Sequence, residues 1–297
     1  MRSLWATSAL LLATLALIVG AAARWVDRQV LSTPGWTATS TRLIADPPVR
    51  QAIARYLVDQ TFVAAGIDDA LDHALPAPIA QQAQTTLRAA ASGVSARVLA
   101  TGAGRAVWRD ANREAQSQLL RAVDHPRDGQ FVVLDLSPLL HDIAQDLAGT
   151  TVARAIPGSA QILQAQTAGA GRLTVLTPDH LGKLRDAVRV TRFLSWALFV
   201  AALALLALAI LVSRARWAVS VSRAGYAIAV AGVVVLVGRV LVQYPLASAA
   251  VGSGTDRAAV RAAWLIGSSQ LRDTGIEILV AGGVVAVVSW GLRALSR

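Results

Sequence analysis

Two ionisable residues lie inside long apolar stretches, and chemistry is sought there first. Arg239 stands about four residues before the end of one stretch, and Glu277 about one turn into the next. An ionised group in hydrocarbon is costly, so such residues tend to mark a pathway or a pairing. Their similar depth makes Arg239 and Glu277 a candidate intramembrane ion pair. It reads as part of a gate or ion pathway, as a structural pair, or as two side chains snorkelling to the headgroups. Four histidines follow: His73, His125, His141 and His180. None has a partner at the i, i+4 spacing that places two imidazoles on one helical face for zinc. The chain has no cysteine, which excludes a thiolate metal site, a thiol nucleophile and a disulfide-stapled scaffold. Gly102-Ala103-Gly104 and Gly252-Ser253-Gly254 have the look of phosphate-loop fragments. Neither follows a strand pattern or carries the lysine and hydroxyl partner, so both read as turns. No Gly-x-Ser-x-Gly or Ser-x-x-Lys element occurs. No catalytic, cofactor or metal site is therefore expected.

The elements that must position Arg239 and Glu277 belong to a membrane. Of 297 residues, 55% are hydrophobic and 15% charged, against roughly 25% charged in a soluble domain. Four stretches approach the ~20 apolar residues that cross a ~30 Å hydrocarbon core: Leu4 to Ala23, Phe193 to Val212, Ala224 to Tyr244 and Ile276 to Leu292. The first reads as an uncleaved anchor. Ala21-Ala22-Ala23 offers the alternative of a signal-peptide cleavage site, but the apolar run exceeds the usual length of such signals. Orientation follows from arginines in short segments. Arg2, Arg214, Arg216, Arg223, Arg293 and Arg297 flank the spans on one side with no acid among them, and this side is expected to be cytoplasmic. Residues 24–190 then lie outside. Their seventeen bases and fifteen acids nearly cancel, and a segment so long crosses regardless of charge. Trp5, Trp217 and Trp290 fall at the inner ends and Trp25 and Trp196 at the outer ends, as interface anchors should.

The expected organisation is thus an anchor at 1–23, an extracytoplasmic domain at 24–190 and a three-helix membrane region at 191–297. An outer amphipathic loop at 245–272 carries Val260, Trp264, Gly267 and Leu271 on one face. The domain should be mainly helical, of α+β class. Asp46-Pro47 opens a helix to Phe62 with Val49, Ile53, Tyr56, Leu57 and Gln60 on one stripe. Ile79 to Val98 and Trp108 to Ala122 carry two more apolar stripes, all read as core. Gln130 to Leu136 and Arg172 to Thr177 read as strands, with Gln161 to Gln166 as a third. Ser137-Pro138 and Thr177-Pro178 read as N-caps with proline opening a helix. From Pro178 no breaker except Gly182 precedes Val212, so one helix of 35 residues, about 52 Å, is expected to couple the domain to the second span. In the spans, Gly225, Ala229, Gly232, Gly275, Gly282 and Gly283 let helices approach closely and indicate a packed bundle.

One span, a large outer domain and three further spans also resemble the layout of FtsX- and MacB-type permease subunits. The connection from Ser213 to Arg223 is too short for the ATPase-docking segment that likeness implies. Thr33-Pro34-Gly35-Trp36, the Asp46-Pro47 to Asp59-Gln60 helix, Trp108 to Arg113 and Phe131 to Leu136 resemble a group of four-span integral membrane proteins of high-GC bacteria, actinobacteria in particular. Twenty-seven arginines against the lone Lys183 fit a high-GC genome. These motifs are structural, so the resemblance implies an architecture and brings no activity. The expected function is a non-enzymatic envelope protein, a scaffold or accessory subunit in the plasma membrane. Its partners are the bilayer and other envelope proteins or a second copy. A transporter or channel component is the alternative. The net charge of +10 divides into +6 on the cytoplasmic ends, +2 on residues 24–190 and +2 elsewhere. It is mostly an orientation signal, and no nucleic-acid partner is expected.

Overall fold

The structure, a computed structural model, describes residues 2–64, 66–125, 132–151, 172–176, 178–212, 217–249 and 254–295. Its helices are α1 (Arg2–Gln29), α2 (Thr33–Ala45), α3 (Pro47–Ala64), α4 (Ile67–Ala74), α5 (Ala77–Ala100), α6 (Gly102–Asp124), α7 (Ser137–Ala148), α8 (Pro178–Val212), α9 (Trp217–Ala249), α10 (Gly254–Gly267) and α11 (Ser269–Leu295). The strands are β1 (Val132–Asp135) and β2 (Arg172–Leu176). The chain divides into two compact units. One holds residues 1–32, 185–249 and 264–297, the other residues 33–184 and 250–263.

The second unit is a helical body. Asp46 caps α3 as its sequence requires, its Oδ1 accepting from Val49 N at 3.2 Å, with Pro47 in the first turn. Thr101 both ends α5 and starts α6: its hydroxyl donates to the Val98 carbonyl at 2.7 Å and accepts from Gly104 N at 3.0 Å. A Cβ at Gly104 would stand 2.1 Å from the Val98 carbonyl oxygen, so this glycine serves a tight helix junction. The core gathers Ile44, Phe62, Leu71, Leu87, Leu99 and Leu139 from α2, α3, α4, α5 and α7. Trp108 of α6 joins it and donates its indole N–H to the Ser40 carbonyl at 3.2 Å.

Several expectations are corrected here. The α+β class does not hold: β1 and β2 pair antiparallel as a two-stranded ribbon of four and five residues, too small to form a layer. Residues 161–166 lie outside the described residues, as does Thr177. Tyr56 and Ile79 are exposed, so the buried apolar stripe of α3 is Val49, Ala54, Leu57, Val58 and Phe62, and that of α5 runs Ala80, Ala83, Leu87, Ala91, Val94 and on to Val98. Leu136, not Ser137, occupies the N-cap of α7 and makes no side-chain cap bond, while Asp135 Oδ1 before it accepts from Ser137 N at 3.0 Å and from Ser137 Oγ at 2.7 Å. Helix α2 stands where Thr33-Pro34-Gly35 gave no apolar period, because its buried face is Thr39, Ser40 and Ile44.

In the first unit four helices are long and apolar enough to cross a membrane, over Thr7–Gln29, Gly182–Leu208, Val221–Leu246 and Ser269–Gly291. These shift the expected boundaries, most at the start of the second span, which begins at Gly182 in place of Phe193, and of the fourth, which begins at Ser269 in place of Ile276. Helix α8 runs unbroken over its 35 residues. Ala13, Leu17 and Ala21 recur every fourth residue on α1 and pack against Ala202 and Leu206 of α8, Ala224, Ala231 and Val235 of α9, and Leu271 of α11. Leu12, Leu15, Phe199, Leu203, Val233 and Val284 point outward, as a lipid-facing surface requires.

Candidate functional site

The charged residue expected to pair within the membrane is held by something else. Arg239 Nε donates to Ser268 Oγ at 2.8 Å, and its Nη2 donates to the Leu265 carbonyl at 3.1 Å. Ser268 Oγ donates in turn to the Trp264 carbonyl at 2.6 Å, and Trp264 Nε1 donates to the Arg239 carbonyl at 2.8 Å. From α1, Trp25 Nε1 donates to the Gly267 carbonyl at 2.9 Å, and its ring meets Trp264 edge-on, centroids 5.9 Å apart at 72°. Physical need explains this corner. The chain breaks its helix at fully buried Ser268, between α10 and α11. Carbonyls at a helix end lack partners in the next turn, and those of Leu265 and Gly267 receive a guanidinium and an indole instead. Arg239 is a clasp on a helix corner.

Glu277 is exposed and makes no ion pair with Arg239 among the described residues. The α9–α11 seam gives the reason. A Cβ on Gly225 would lie 2.7 Å from Ala286 N, one on Gly282 2.3 Å from Ala229 N, and one on Gly232 2.6 Å from Leu279 N, while Gly275 faces Leu236. The contacts step by four, three and four residues along both helices, an antiparallel register closed backbone on backbone. That 4-3-4 step is the heptad-like packing of helices crossing at about +20°. Continued, it sets Arg239 opposite Arg272 and Glu277 opposite Val234. The two charges therefore stand five residues out of step, about 7.5 Å along the axis. Gly283, grouped with the others by its sequence context, faces away from the seam: a Cβ added there would meet nothing within 4 Å.

Of the tryptophan anchors, Trp196 and Trp290 are 71% and 69% exposed, free to meet headgroups. Trp25 is committed to the clasp instead. The side chains of Trp5 and Trp217 lie outside the described residues. His73, His125 and His141 are exposed, and His180 has no described side chain. Among the described residues no three His, Asp or Glu side chains gather where a cation would be held.

A groove of about 650 Å³ between α3 and α5, wholly within the second unit, is the feature that sequence reasoning misses. Its floor is small: Ala89, Ser92, Gly93, Ala96 and Ala100 repeat at helical spacing on α5. Its walls carry Arg50, Arg55, Arg88 and Arg97 against a single carboxylate, Asp59. Arg88 donates to Asp59 at 2.8 Å and to Asp68, and lies over the Phe62 ring at 4.6 Å. Arg55 donates to Asp256 at 2.6 Å, and Arg50 Nη1 donates to the Ile44 and Ala45 carbonyls at the end of α2. The small-residue period on α5 and the Arg55/Asp59 spacing on α3 are visible signals, but neither shows which helices face each other.

Compared against protein families, curated proteins and solved structures, the chain matches none of them.

Proposed function

We propose that the chain is a multi-pass plasma-membrane protein of the cell envelope that acts without catalysis, as a scaffold or accessory subunit working through residues 33–184. The arginine distribution supports an orientation with both termini in the cytoplasm and residues 24–190 outside. The observation that carries the reading is the α9–α11 seam. Helices in backbone contact at three successive levels, with Gly275 against the Leu236 side chain at the fourth, form a solid pair, and the membrane arginine is engaged by a helix corner in place of a water-lined route. A scaffold needs that rigidity, whereas a conduit needs ionisable groups facing one another across a cavity. The test is purification in mild detergent, followed by native mass measurement and reconstitution into liposomes. A complex of fixed stoichiometry with another envelope protein, and liposomes no leakier than empty ones, is the expected result. A solitary chain that conducts ions overturns the reading in favour of a channel component.

A further inference from the structure

We propose that the α3–α5 groove is a binding site for a ligand carrying a phosphate group. The argument starts from charge. On α6, three arginines meet acids of their own helix: Arg109 and Arg113 lie by Asp110, and Arg121 by Glu114. In the groove, four guanidiniums from two helices converge on a cleft whose lining holds one carboxylate. Of the three acids engaged by these arginines, Asp256 holds Arg55 and the other two lie at one end. Arg88 and Asp59 are joined there, with Asp68 beside them. Nine residues back along α3 is Arg50, and nine on along α5 is Arg97, so the two share the opposite end, about 13 Å away. No carboxylate lines that end.

Three of the four guanidiniums, those of Arg50, Arg55 and Arg88, are already oriented. Arg50 is fixed by two carbonyls through one nitrogen, and Arg55 by Asp256 through one nitrogen, which leaves further N–H donors on each. Arg97 is exposed at the rim. Fixed, planar forks with remaining donors suit a tetrahedral oxyanion, and prior orientation reduces the entropy lost on binding. The floor of alanine, glycine and serine lets a ligand lie close against α5. A volume of about 650 Å³ exceeds a bare phosphate and lies within the roughly 300–1,000 Å³ of small-molecule sites. The ligand thus has a phosphate at the Arg50–Arg97 end and a hydroxylated substituent extending towards Asp59 and Ser92, which accept its hydrogen bonds. A lipid headgroup and a soluble phosphate ester share this chemistry.

The proposal does not depend on the scaffold reading, since conduits and scaffolds alike can bind a ligand on an outer face. The test uses the full chain in a neutral detergent, titrated with glycerol 3-phosphate by calorimetry and with short-chain phosphatidylglycerol by native mass spectrometry. Saturable binding of at least one probe is expected, weakened about tenfold or more in Arg97→Gln and unchanged in Arg113→Gln. Binding of the lipid alone assigns the headgroup, and binding of both assigns the phosphate ester itself. Arg97 is exposed and outside the core, so its variant keeps the fold, which circular dichroism verifies. Absence of saturable binding by either probe, or equal affinity in wild type and Arg97→Gln, overturns the proposal.

Discussion

Arg239 shows how far a single residue can be read before its neighbours are known. Its position in an apolar run requires that it be satisfied, and it is; the partner is not the nearest acid in depth but Ser268 and the Leu265 carbonyl. Hydropathy reports depth along a span and is silent on azimuth and register, and those place Glu277 about 7.5 Å out of step. The clasp can be tested one residue at a time. Ser268→Ala removes the acceptor of the half-buried Arg239 Nε–H, a loss of about 0.5–1.5 kcal/mol, read as a lowered unfolding temperature in detergent. Glu277→Gln, at an exposed position, shifts stability by no more than about 0.5 kcal/mol. A charge swap, Arg239→Glu with Glu277→Arg, should be no more stable than Arg239→Glu alone. Rescue by the swap would restore the ion-pair reading.

At the scale of elements, periodicity locates the long helices because a continuous apolar face leaves a 3.6-residue trace. Helix α3 begins at its Asp46-Pro47 signal, and α8 runs the full length from Pro178 to Val212. Helices α2 and α4 escape notice for opposite reasons. Helix α2 buries Thr39 and Ser40, which leave no hydrophobic trace, and α4 has only eight residues, opened by Gly66 in the left-handed region. The glycines of α9 and α11 are legible as contact residues, yet their pairing is not, since composition says that a helix can be approached closely without naming the helix. The register separates two glycines that are adjacent in sequence. Gly282→Ala drives a methyl to 2.3 Å from Ala229 N, and because the obstacle is backbone, the helices must separate. Overpacking of this kind costs about 1–3 kcal/mol. Gly283→Ala meets nothing within 4 Å and should be neutral or slightly stabilising through helix propensity. Thermal unfolding of the two variants side by side checks the register; equal effects would refute it.

For the whole molecule, the net charge of +10 resolves into an orientation argument, because the short segments flanking the spans on one side hold six arginines without an acid while residues 24–190 are nearly balanced. Charge bias in short segments is a property of insertion, so it is read directly from sequence. The groove that carries Arg50, Arg55, Arg88 and Arg97 is a property of packing, and its arginines are scattered over 48 positions of the chain. No window of sequence brings them together. Both halves meet in one experiment that the composition makes simple. The chain contains no cysteine, so any introduced thiol is a unique reporter. Gln81→Cys lies on an exposed position of α5, and Ser296→Cys lies beside the arginines that end the sequence. With termini inside and the helical unit outside, a membrane-impermeant maleimide labels Gln81→Cys in intact cells and Ser296→Cys only after the membrane is opened. The opposite pattern would invert the topology, and with it the compartment from which a phosphate-bearing ligand reaches Arg50 and Arg97.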